Sequence, residues 1–421
     1  MFPKLILSDL KGNIRIHPTL KMVGADAQGF VVPAQGELTP LPKGSTFLYL
    51  PGHNAVGWDQ KQDALVRIRE FDGQAALPAA AFLIPGFTRT YLPAAEKIDK
   101  DIMLPLWPYT AVGYLKGRFY AAALLIDKMR RQRPFYYERL SVMKKNIKAM
   151  AGGNKANRLL KHLSRCALVY NCRNAQNLFL KRWEAPLPVS PACNSRCLGC
   201  LSFQGSDCAQ ASHERIGFVP SPEEIFEVGF PHLKYGRQPM VSFGQGCEGE
   251  PLLQFKLLKT SIGLIRRGTA RGTVHLNTNG FDPGHIQELA RAGLDSVRIS
   301  INSFRAASYN AYYRPGGYIF DDVLDSIKIS RKSGLFVSLN YLVFPGFSDS
   351  AQEVKKLISF LKKGYVDLLQ LRNLSIDPDF FGSAMPKPDK EALGVAAMIF
   401  MIRKECPGLR LGYFNLPREK F

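Results

Sequence analysis

Three cysteines lie close together in the middle of the chain, at Cys193, Cys197 and Cys200, in the pattern CxxxCxxC. Cysteine thiolates are soft ligands, and three of them on a short loop can each bind one iron of a cubane cluster. The fourth iron then has no protein ligand and can bind a small molecule, which is the usual condition for metal-centred catalysis. The spacing therefore predicts a [4Fe–4S] cluster with one open iron.

A zinc site is the alternative interpretation of the same loop. Structural zinc takes four ligands, commonly from cysteine and histidine. Either Cys208 or His213 lies close enough in the sequence to supply the fourth ligand. The loop on its own leaves both metals open.

Apolar runs and helical stretches alternate from about residue 185 onward, which predicts a parallel sheet in an α/β fold. The extended segment 185–192 is the predicted first strand, and further strand-like runs lie at 239–243, 274–277, 296–301, 336–344 and 366–371. Helical stretches lie near 222–228, 252–266, 285–292, 320–333, 351–362 and 391–404. About six such units suit a partial or closed parallel β/α barrel, in which the chemistry lies at the carboxyl ends of the strands.

Polar residues stand at the ends of these predicted strands. A glycine-rich turn after 239–243 contains Gly249 and Glu250; such a turn exposes backbone carbonyl groups, and a carboxylate suits an ammonium group. The other candidates are the polar residues Asn277, Ser300, Asn302 and Asn340. Taken singly, Asn or Ser at a strand end can simply cap a helix.

Two other regions precede the barrel, which we expect to span residues 185–421 with a C-terminal helix. Residues 1–125 contain short β-type runs separated by proline and glycine, and predict a small β-rich domain. Residues 126–184 have apolar residues at helical spacing and predict a basic helical segment. Within it, residues 128–182 contain 15 basic residues and one acidic residue, Glu138.

The charge and the cysteine content limit the class of protein. The net charge of +21 favours an acidic or phosphate-bearing partner. No apolar run reaches the roughly 18 residues that a membrane span needs, and no secretion signal is visible, so we expect a cytoplasmic protein. Eight cysteines in such a protein are expected to be thiols or metal ligands rather than disulfides.

The cysteine pattern after a first barrel strand resembles the radical S-adenosylmethionine (SAM) superfamily, over residues from about 185 to 380. The resemblance implies that Cys193, Cys197 and Cys200 bind a [4Fe–4S] cluster. The sequence 249–251, GEP, is similar to the family's GGEP motif, which holds the amino group of SAM. The implied contacts with the rest of this cofactor come from the strand-end residues Asn277, Ser300, Asn302 and Asn340.

The same resemblance implies a reaction and a reductant. An electron from the reduced cluster cleaves the S–C5′ bond of SAM, and the resulting 5′-deoxyadenosyl radical takes a hydrogen atom from a substrate. This first step needs no protein acid or base, so no catalytic side chain is assigned. The electron comes from an external donor such as flavodoxin or ferredoxin.

The substrate is open between several classes. Phe135, Tyr136, Tyr137 and Tyr170 are interleaved with the basic residues of 128–182, which suits RNA, whereas a basic helix pair packed on the barrel is the alternative. If the protein is an enzyme, the other possible substrate classes are peptides, proteins and small metabolites. A non-catalytic iron–sulfur protein that binds RNA is a further alternative, against which the cofactor motifs argue.

Four more cysteines are candidates for a second cluster. They are Cys166, Cys172, Cys208 and Cys247. Buried, inert thiols are the alternative interpretation, because free cysteine commonly behaves as a small apolar residue.

Overall fold

A computed structural model describes residues 2–99, 102–104, 106–129, 133–153, 156–204, 211–387 and 392–421. Cys208, a candidate ligand for zinc or for a second cluster, lies outside the described residues. Three of the 15 basic residues of 128–182 also lie outside them, namely Arg130, Arg131 and Lys155.

The N-terminal region is rich in β-structure, as predicted. Its strands are β1 (Lys4–Ser8), β2 (Ile14–Met22), β3 (Gly24–Asp26), β4 (Gly29–Val31), β5 (Thr39–Pro40), β6 (Thr46–Tyr49), β7 (His53–Asp59), β8 (Ala64–Ile68), β9 (Glu70–Phe71), β10 (Gln74–Ala75), β11 (Leu77–Phe82), β12 (Phe87–Arg89), β13 (Leu92–Pro93), β14 (Ala95–Lys97), β15 (Tyr109–Leu115), β16 (Arg118–Ala121) and β17 (Ala123–Leu125). Ten of them form one antiparallel sheet, whose main path is β14-β7-β2-β1-β11-β15-β16-β5. Tight turns join neighbouring strands: Asp72 and Gly73 both have positive φ between β9 and β10, as a two-residue hairpin turn requires.

Three helices follow this sheet, namely α1 (Leu140–Gly153), α2 (Arg158–Leu168) and α3 (Arg173–Phe179). The side chain of Asn157 caps α2 by accepting a hydrogen bond from the backbone N–H of Leu160 at 2.8 Å. Helix α2 buries Leu159 and Leu163 completely, so its apolar face lies in the protein core. The domain boundaries near residues 125 and 184 stay predictions.

The C-terminal region is a partial parallel β/α barrel, which confirms the predicted fold class. Its strands, in sequential order across one sheet, are β18 (Arg182–Pro186), β19 (Arg237–Phe243), β20 (Thr273–Thr278), β21 (Ser296–Ile301), β22 (Phe336–Val343), β23 (Leu368–Asn373) and β24 (Arg410–Gly412). Its helices are α4 (Pro222–Tyr235), α5 (Phe255–Gly268), α6 (Pro283–Ala292), α7 (Ala306–Tyr313), α8 (Phe320–Lys332), α9 (Ala351–Leu361), α10 (Pro378–Ala384) and α11 (Val395–Glu405). In the described part of the chain β18 and β24 do not pair, so the barrel is open.

Two details of the barrel differ from the prediction. The first strand is Arg182–Pro186 rather than 185–192, because the segment after Pro186 contains Pro188 and Pro191, which have no backbone N–H for a sheet. A seventh strand, Arg410–Gly412, was not predicted, because three residues are too few to show a pattern.

The N-terminal region is joined to the barrel through a buried arginine of β12. Arg89 is completely buried, and its guanidinium donates hydrogen bonds to the carbonyl oxygens of Trp107 at 2.7 Å and Tyr109 at 3.1 Å. It also donates to the carbonyl of Leu374, while its backbone N–H donates to Asn373 Oδ1 at 2.9 Å. The N-terminal region thereby holds the carboxyl end of β23 in place.

No helix in the described ranges is both long enough and apolar enough to cross a membrane.

Candidate functional site

A cavity of about 600 Å³ opens at the carboxyl ends of the barrel strands. This volume lies within the usual range for sites that bind small molecules and cofactors. Segments after β18, β19, β20 and β23 line the cavity together with inward-facing residues of β21 and β22. The barrel therefore gathers the predicted strand-end residues around one space, as its topology requires.

The cysteine loop, residues 193–200, forms one wall of this cavity. Cys193, Cys197 and Cys200 are free thiols, and all three line the space. Burial raises the pKa of Cys193 and raises that of Cys197 well above its usual value. The guanidinium of Arg215 lies 3.6 Å from Cys200 Sγ and is a cation close enough to offset thiolate charge.

The end of helix α7 holds the cysteine loop from behind. The backbone N–H of Leu198 donates to the carbonyl of Tyr312 at 3.0 Å, and that of Arg196 donates to the carbonyl of Tyr313 at 3.0 Å. Tyr312 and Tyr313 are buried and line the cavity. Tyr313 Oη has no hydrogen-bond partner among the described residues. Both tyrosines could have been taken for a surface turn from the sequence, because their burial arises only in the fold.

The strand end after β20 also fixes the cysteine loop. Asn279 Nδ2 donates to Asn194 Oδ1 at 2.8 Å and to Ser195 Oγ at 3.0 Å. Asn277, the residue chosen from the sequence, lines the cavity but donates its amide to the carbonyl of Phe243 at 2.6 Å. Asn277 thus joins β20 to β19, while Asn279 joins β20 to the cysteine loop.

The turn after β19 is held to the segment before the cysteine loop by a buried carboxylate. Glu248 accepts hydrogen bonds from the backbone N–H groups of Val189 at 2.7 Å and Ser190 at 3.1 Å through one oxygen. Its other oxygen accepts from the backbone of Gly244 and Gln245 in its own turn. Burial raises the pKa of Glu248 to about 8. Both oxygens of Glu248 accept hydrogen bonds from backbone N–H groups of the protein, so this carboxylate has a structural role.

Gly249 occupies a position where the chain leaves no room for a side chain. A Cβ atom at this position would lie 1.9 Å from the carbonyl oxygen of Ala192. The close approach allows two backbone hydrogen bonds, from Gly249 N–H to the Ser190 carbonyl at 2.7 Å and from Glu250 N–H to the Ala192 carbonyl at 2.9 Å. The glycine therefore brings the turn directly against the start of the cysteine loop.

Glu250 lies at the meeting point of the turn, strand β20 and the cysteine loop. Its carboxylate accepts hydrogen bonds from Thr278 Oγ1 at 2.6 Å, the Asn279 N–H at 2.8 Å and the Leu252 N–H at 3.0 Å. Burial raises the pKa of Glu250 to about 7, and its negative charge raises the pKa of Cys193. Of the two acids in the turn, Glu250 is the one whose charge acts on the cysteine loop.

The remaining predicted residues divide into two groups. Ser300 and Asn340 line the cavity from neighbouring strands, with Asn340 Nδ2 donating to Ser300 Oγ at 3.3 Å. Asn302 does not line the cavity; it is buried, and its amide donates to the carbonyl of Ser308 at 3.3 Å. The structure thus brings together eight of the nine predicted site residues and leaves Asn302 outside the cavity wall.

Two arginines add positive charge to the same cavity. Arg298 is half-buried, its Nη1 donates to Gln370 Oε1 at 3.1 Å, and its Nε has no partner among the described residues. Burial and the nearby charge of Arg372 together lower the pKa of Arg298 to about 10, against the opposing effect of Glu184. Arg372 donates to the carbonyl of Tyr413 at 2.8 Å and its guanidinium lies 4.2 Å from the centre of that ring.

The donor set of the cysteine loop fits an iron–sulfur cluster. In the described ranges no three His, Cys, Asp or Glu side chains come together in a way that could hold a metal ion. A cubane cluster binds each thiolate through a different iron, so its three ligands need not meet around one ion. Three soft thiolates around a cavity, next to a glutamate and an arginine, match this requirement.

Comparison with known proteins identifies the region that contains this site. Residues 187–361 match the family model of the Radical SAM superfamily. GTP 3′,8-cyclase from Marinobacter nauticus is 28% identical over 191 residues, which are 43% of this chain and 51% of that protein. The FeMo cofactor biosynthesis protein NifB from Klebsiella pneumoniae is 24% identical over 225 residues, which are 49% of this chain and 47% of that protein.

Solved structures give a weaker likeness. SuiB from Streptococcus suis, in a crystal structure bound to S-adenosylmethionine, matches with a TM-score of 0.38 and 15% identity, over 65% of this chain and 62% of that one. The chain spans about half the length of the curated relatives it matches. Radical SAM proteins bind a [4Fe–4S] cluster and SAM. Residues 187–361, which carry the cysteine loop and the strand-end residues, are a radical SAM domain.

Proposed function

We propose that this protein is a radical SAM enzyme that acts on a small anionic substrate in the cavity of the barrel. The observation that carries the proposal is the convergence of three free thiols, the Gly249–Glu250 turn and two arginines on one space of about 600 Å³. The first two features supply ligands for the cofactors, and the arginines supply charge for a substrate.

The cysteine loop would hold a [4Fe–4S] cluster through Cys193, Cys197 and Cys200. When bound, the reduced cluster supplies an electron that cleaves SAM and yields a 5′-deoxyadenosyl radical for hydrogen abstraction. Arg215 offsets the charge of the thiolates, and α7 and Asn279 fix the backbone of the loop. Tight packing at this point positions the cofactors and excludes water from the reacting groups.

The turn after β19 would position the amino group of SAM. Glu250 is ionisable near neutral pH, because burial raises its pKa to about 7, and an ammonium group placed beside it would favour the charged carboxylate. Gly249 keeps this carboxylate next to Cys193. Ser300 and Asn340 lie across the cavity and offer a hydroxyl and an amide to the rest of the cofactor.

The arginines support the substrate class. Arg298 and Arg372 both line the cavity, and because the buried Glu184 is, among the described residues, the one carboxylate whose charge is shown to act on Arg298, the pair keeps a net positive charge. Carboxylates and phosphates are the anions that guanidinium groups bind most strongly. The similarity to GTP 3′,8-cyclase, whose name gives a phosphate-bearing substrate, also supports this class.

Anaerobic reconstitution with iron and sulfide tests the proposal. With dithionite and SAM, we expect 5′-deoxyadenosine to form, and we expect an anion-exchange fraction of small metabolites to increase its rate above that of the neutral fraction. An Arg298→Met variant should remain folded and should lose part of its basal cleavage of SAM. It should also lose the increase in rate that the anionic fraction causes. Failure to form 5′-deoxyadenosine would contradict the enzyme assignment, whereas equal rates with both fractions would contradict only the substrate class.

RNA is a second candidate substrate, and one surface favours it. Helix α1 exposes Lys144, Lys145 and Lys148 on the protein surface. The nearby aromatic rings give less support, because Tyr137 is buried and its ring lies 4.3 Å from the guanidinium of Arg173. The helix thus offers charge for phosphates, while its aromatic partners are used within the protein.

Fluorescence anisotropy with labelled total tRNA tests this second candidate. A K144E/K145E/K148E variant should weaken binding and reduce its salt dependence, because each lost phosphate contact reduces the slope of log K against log salt by about 0.9. The matched control is K355E/K356E/K363E, which changes three exposed lysines in and just after α9. Equal affinities for the two variants would contradict the RNA proposal.

A further inference from the structure

More cysteines line the cavity than the three that one cluster with an open iron requires. Six of the seven cysteines in the described part of the chain line it. Three belong to the cysteine loop. The other three, here called the second thiol group, are Cys166, Cys172 and Cys247.

The second thiol group comes from three separate elements. Cys166 lies in α2, Cys172 is the residue before α3, and Cys247 lies in the turn after β19. The backbone N–H of Cys172 donates to the carbonyl of Cys166 at 3.0 Å, which closes the connection between α2 and α3. Burial raises the pKa of the Cys172 thiol, and the backbone N–H groups of Ala175 and Asn174 in the first turn of α3 lower it.

The thiols of this group lie close to one another and to imidazole groups. Cys166 Sγ lies 3.5 Å from His162 Nε2, and the thiol of Cys247 is the main cause that lowers the pKa of Cys166. The charge of His213 also acts on Cys166, and that of Cys172 acts on Cys247. His213 Nε2 is itself 2.7 Å from the carbonyl oxygen of Gly246, next to Cys247.

Burial separates these thiols from bulk solvent but not from the cavity. The exposed fractions of Cys166 and Cys247 are 3% and 7%. The backbone N–H of Ile216 donates to the carbonyl of Cys247 at 2.8 Å, so the segment after His213 covers the group. Cys166 and Cys172 pack against the apolar core, but all three thiols also face the cavity, and Cys166 has the imidazole of His162 beside it.

We propose that Cys166, Cys172 and Cys247 hold a second iron–sulfur cluster in the wall of the same cavity. Three thiolates bind three irons of a cubane, and the imidazole of His162, 3.5 Å from Cys166 Sγ, is the candidate ligand for the fourth. Cys406 provides a contrast, because it follows α11 and does not line this cavity. The inference concerns a metal site and does not require that SAM be cleaved.

Iron and sulfide analysis after anaerobic reconstitution with ferrous iron and sulfide tests the second site. We expect about eight irons and eight sulfides per wild-type chain, and about four of each in both C193A/C197A/C200A and C166A/C172A/C247A. The control Cys406→Ala should keep the full content. A loop variant without iron, or a wild-type chain with about four irons, would overturn the proposal.

Electron paramagnetic resonance keeps the test decisive if the second triple variant does not fold. The reduced wild-type protein should give two cluster signals, and only the one that is lost in C193A/C197A/C200A should change when SAM is added. A single signal that is lost in this loop variant would refute the second cluster while leaving the proposed enzyme intact. Two signals that both ignore SAM would leave the second cluster in place and contradict the enzyme.

Discussion

The cysteine loop and the second thiol group face the same cavity but are assembled in different ways. The loop places three thiols within eight residues, so local backbone alone keeps them together. The second thiol group takes one cysteine from a helix, one from the start of another and one from a turn 75 residues further along the chain. Its geometry depends on the packing of α2 and α3 against the barrel.

This difference shows what spacing in a sequence can reveal. A short motif is visible because its ligands are neighbours in the chain. Cysteines from separate elements can be named as candidates from the sequence, as Cys166, Cys172 and Cys247 were, but only the fold shows that these three face one cavity. The turn after β19 connects both regions, because it carries Cys247 and holds the start of the cysteine loop through Gly249.

The largest expected effect comes from breaking the cysteine loop. In Cys197→Ala we expect reductive cleavage of SAM to fall to the level measured without protein, because one iron of the cluster loses its only protein ligand. The measurement is 5′-deoxyadenosine by mass spectrometry. Cys406→Ala, a cysteine outside both regions, is the control and should retain cleavage. Full activity in Cys197→Ala would show that the loop is not the cluster site.

A change in the shared turn should disturb both regions at once. Gly249→Ala puts a methyl group where the Ala192 carbonyl lies, and we expect the free energy of unfolding to fall by about 2–4 kcal/mol. The matched control is Gly263→Ala in α5, where the nearest atom is a flexible arginine nitrogen at 3.7 Å and helix propensity gains about 1 kcal/mol. Chemical denaturation measures both; a loss of similar size in the two variants would argue against the close approach.

Two of the predicted SAM-binding asparagines should respond differently to substitution, because one lines the cavity and the other does not. Asn340→Ala removes an amide from the cavity wall and should raise KM for SAM about tenfold, which is the value of one hydrogen bond of about 1.4 kcal/mol. Asn302→Ala should lower the free energy of unfolding by about 1–2 kcal/mol without changing this KM, because its amide bonds to Ser308. A raised KM in Asn302→Ala would restore the contact predicted from the sequence.

An effect that appears only at acid pH concerns His232, which packs against β18, the strand between α3 and the cysteine loop. Burial lowers the pKa of His232 to about 4, and its Nε2 lies 2.7 Å from the Trp183 carbonyl. Between about pH 6.5 and 4 the unfolded chain binds a proton that the fold does not, so stability is present above this window and is lost as pH falls through it.

The linkage predicts up to about 3 kcal/mol of acid destabilisation from this one residue. His232→Gln can keep the hydrogen bond to Trp183 and should show a shallower loss of stability over the same pH range. Denaturation curves at pH 7, 5.5 and 4.5 measure the difference. Identical slopes for both proteins would assign the acid sensitivity to other groups.

The sequence predicted the barrel because its signal is periodic. Apolar strands and amphipathic helices alternate over more than 200 residues, and each repeat supports the next. The strand Arg410–Gly412 escaped prediction because its place is set by pairing with β23 rather than by its composition. Arg89 gave no signal either, since a buried arginine that binds barrel carbonyls looks like any other basic residue in a sequence.

The residues of the candidate site could be predicted where they belong to a short motif, whose geometry is set by the neighbouring backbone. Cys193, Cys197, Cys200, Gly249 and Glu250 belong to short motifs and lie around one cavity. Asn277 and Asn279 are two residues apart, and the sequence could not say that Asn279 is the one that bonds to the cysteine loop. That distinction depends on which way each side chain leaves the strand end.

The most direct test of the central claim is electron–nuclear double resonance on the reduced protein with SAM that carries 15N in its amino group. Binding of SAM to an open iron of the cluster held by Cys193, Cys197 and Cys200 predicts a resolved coupling between the 15N nucleus and the cluster spin. The coupling should be absent in Cys197→Ala. A wild-type spectrum with no 15N coupling, and with cluster signals that SAM does not change, would contradict the account.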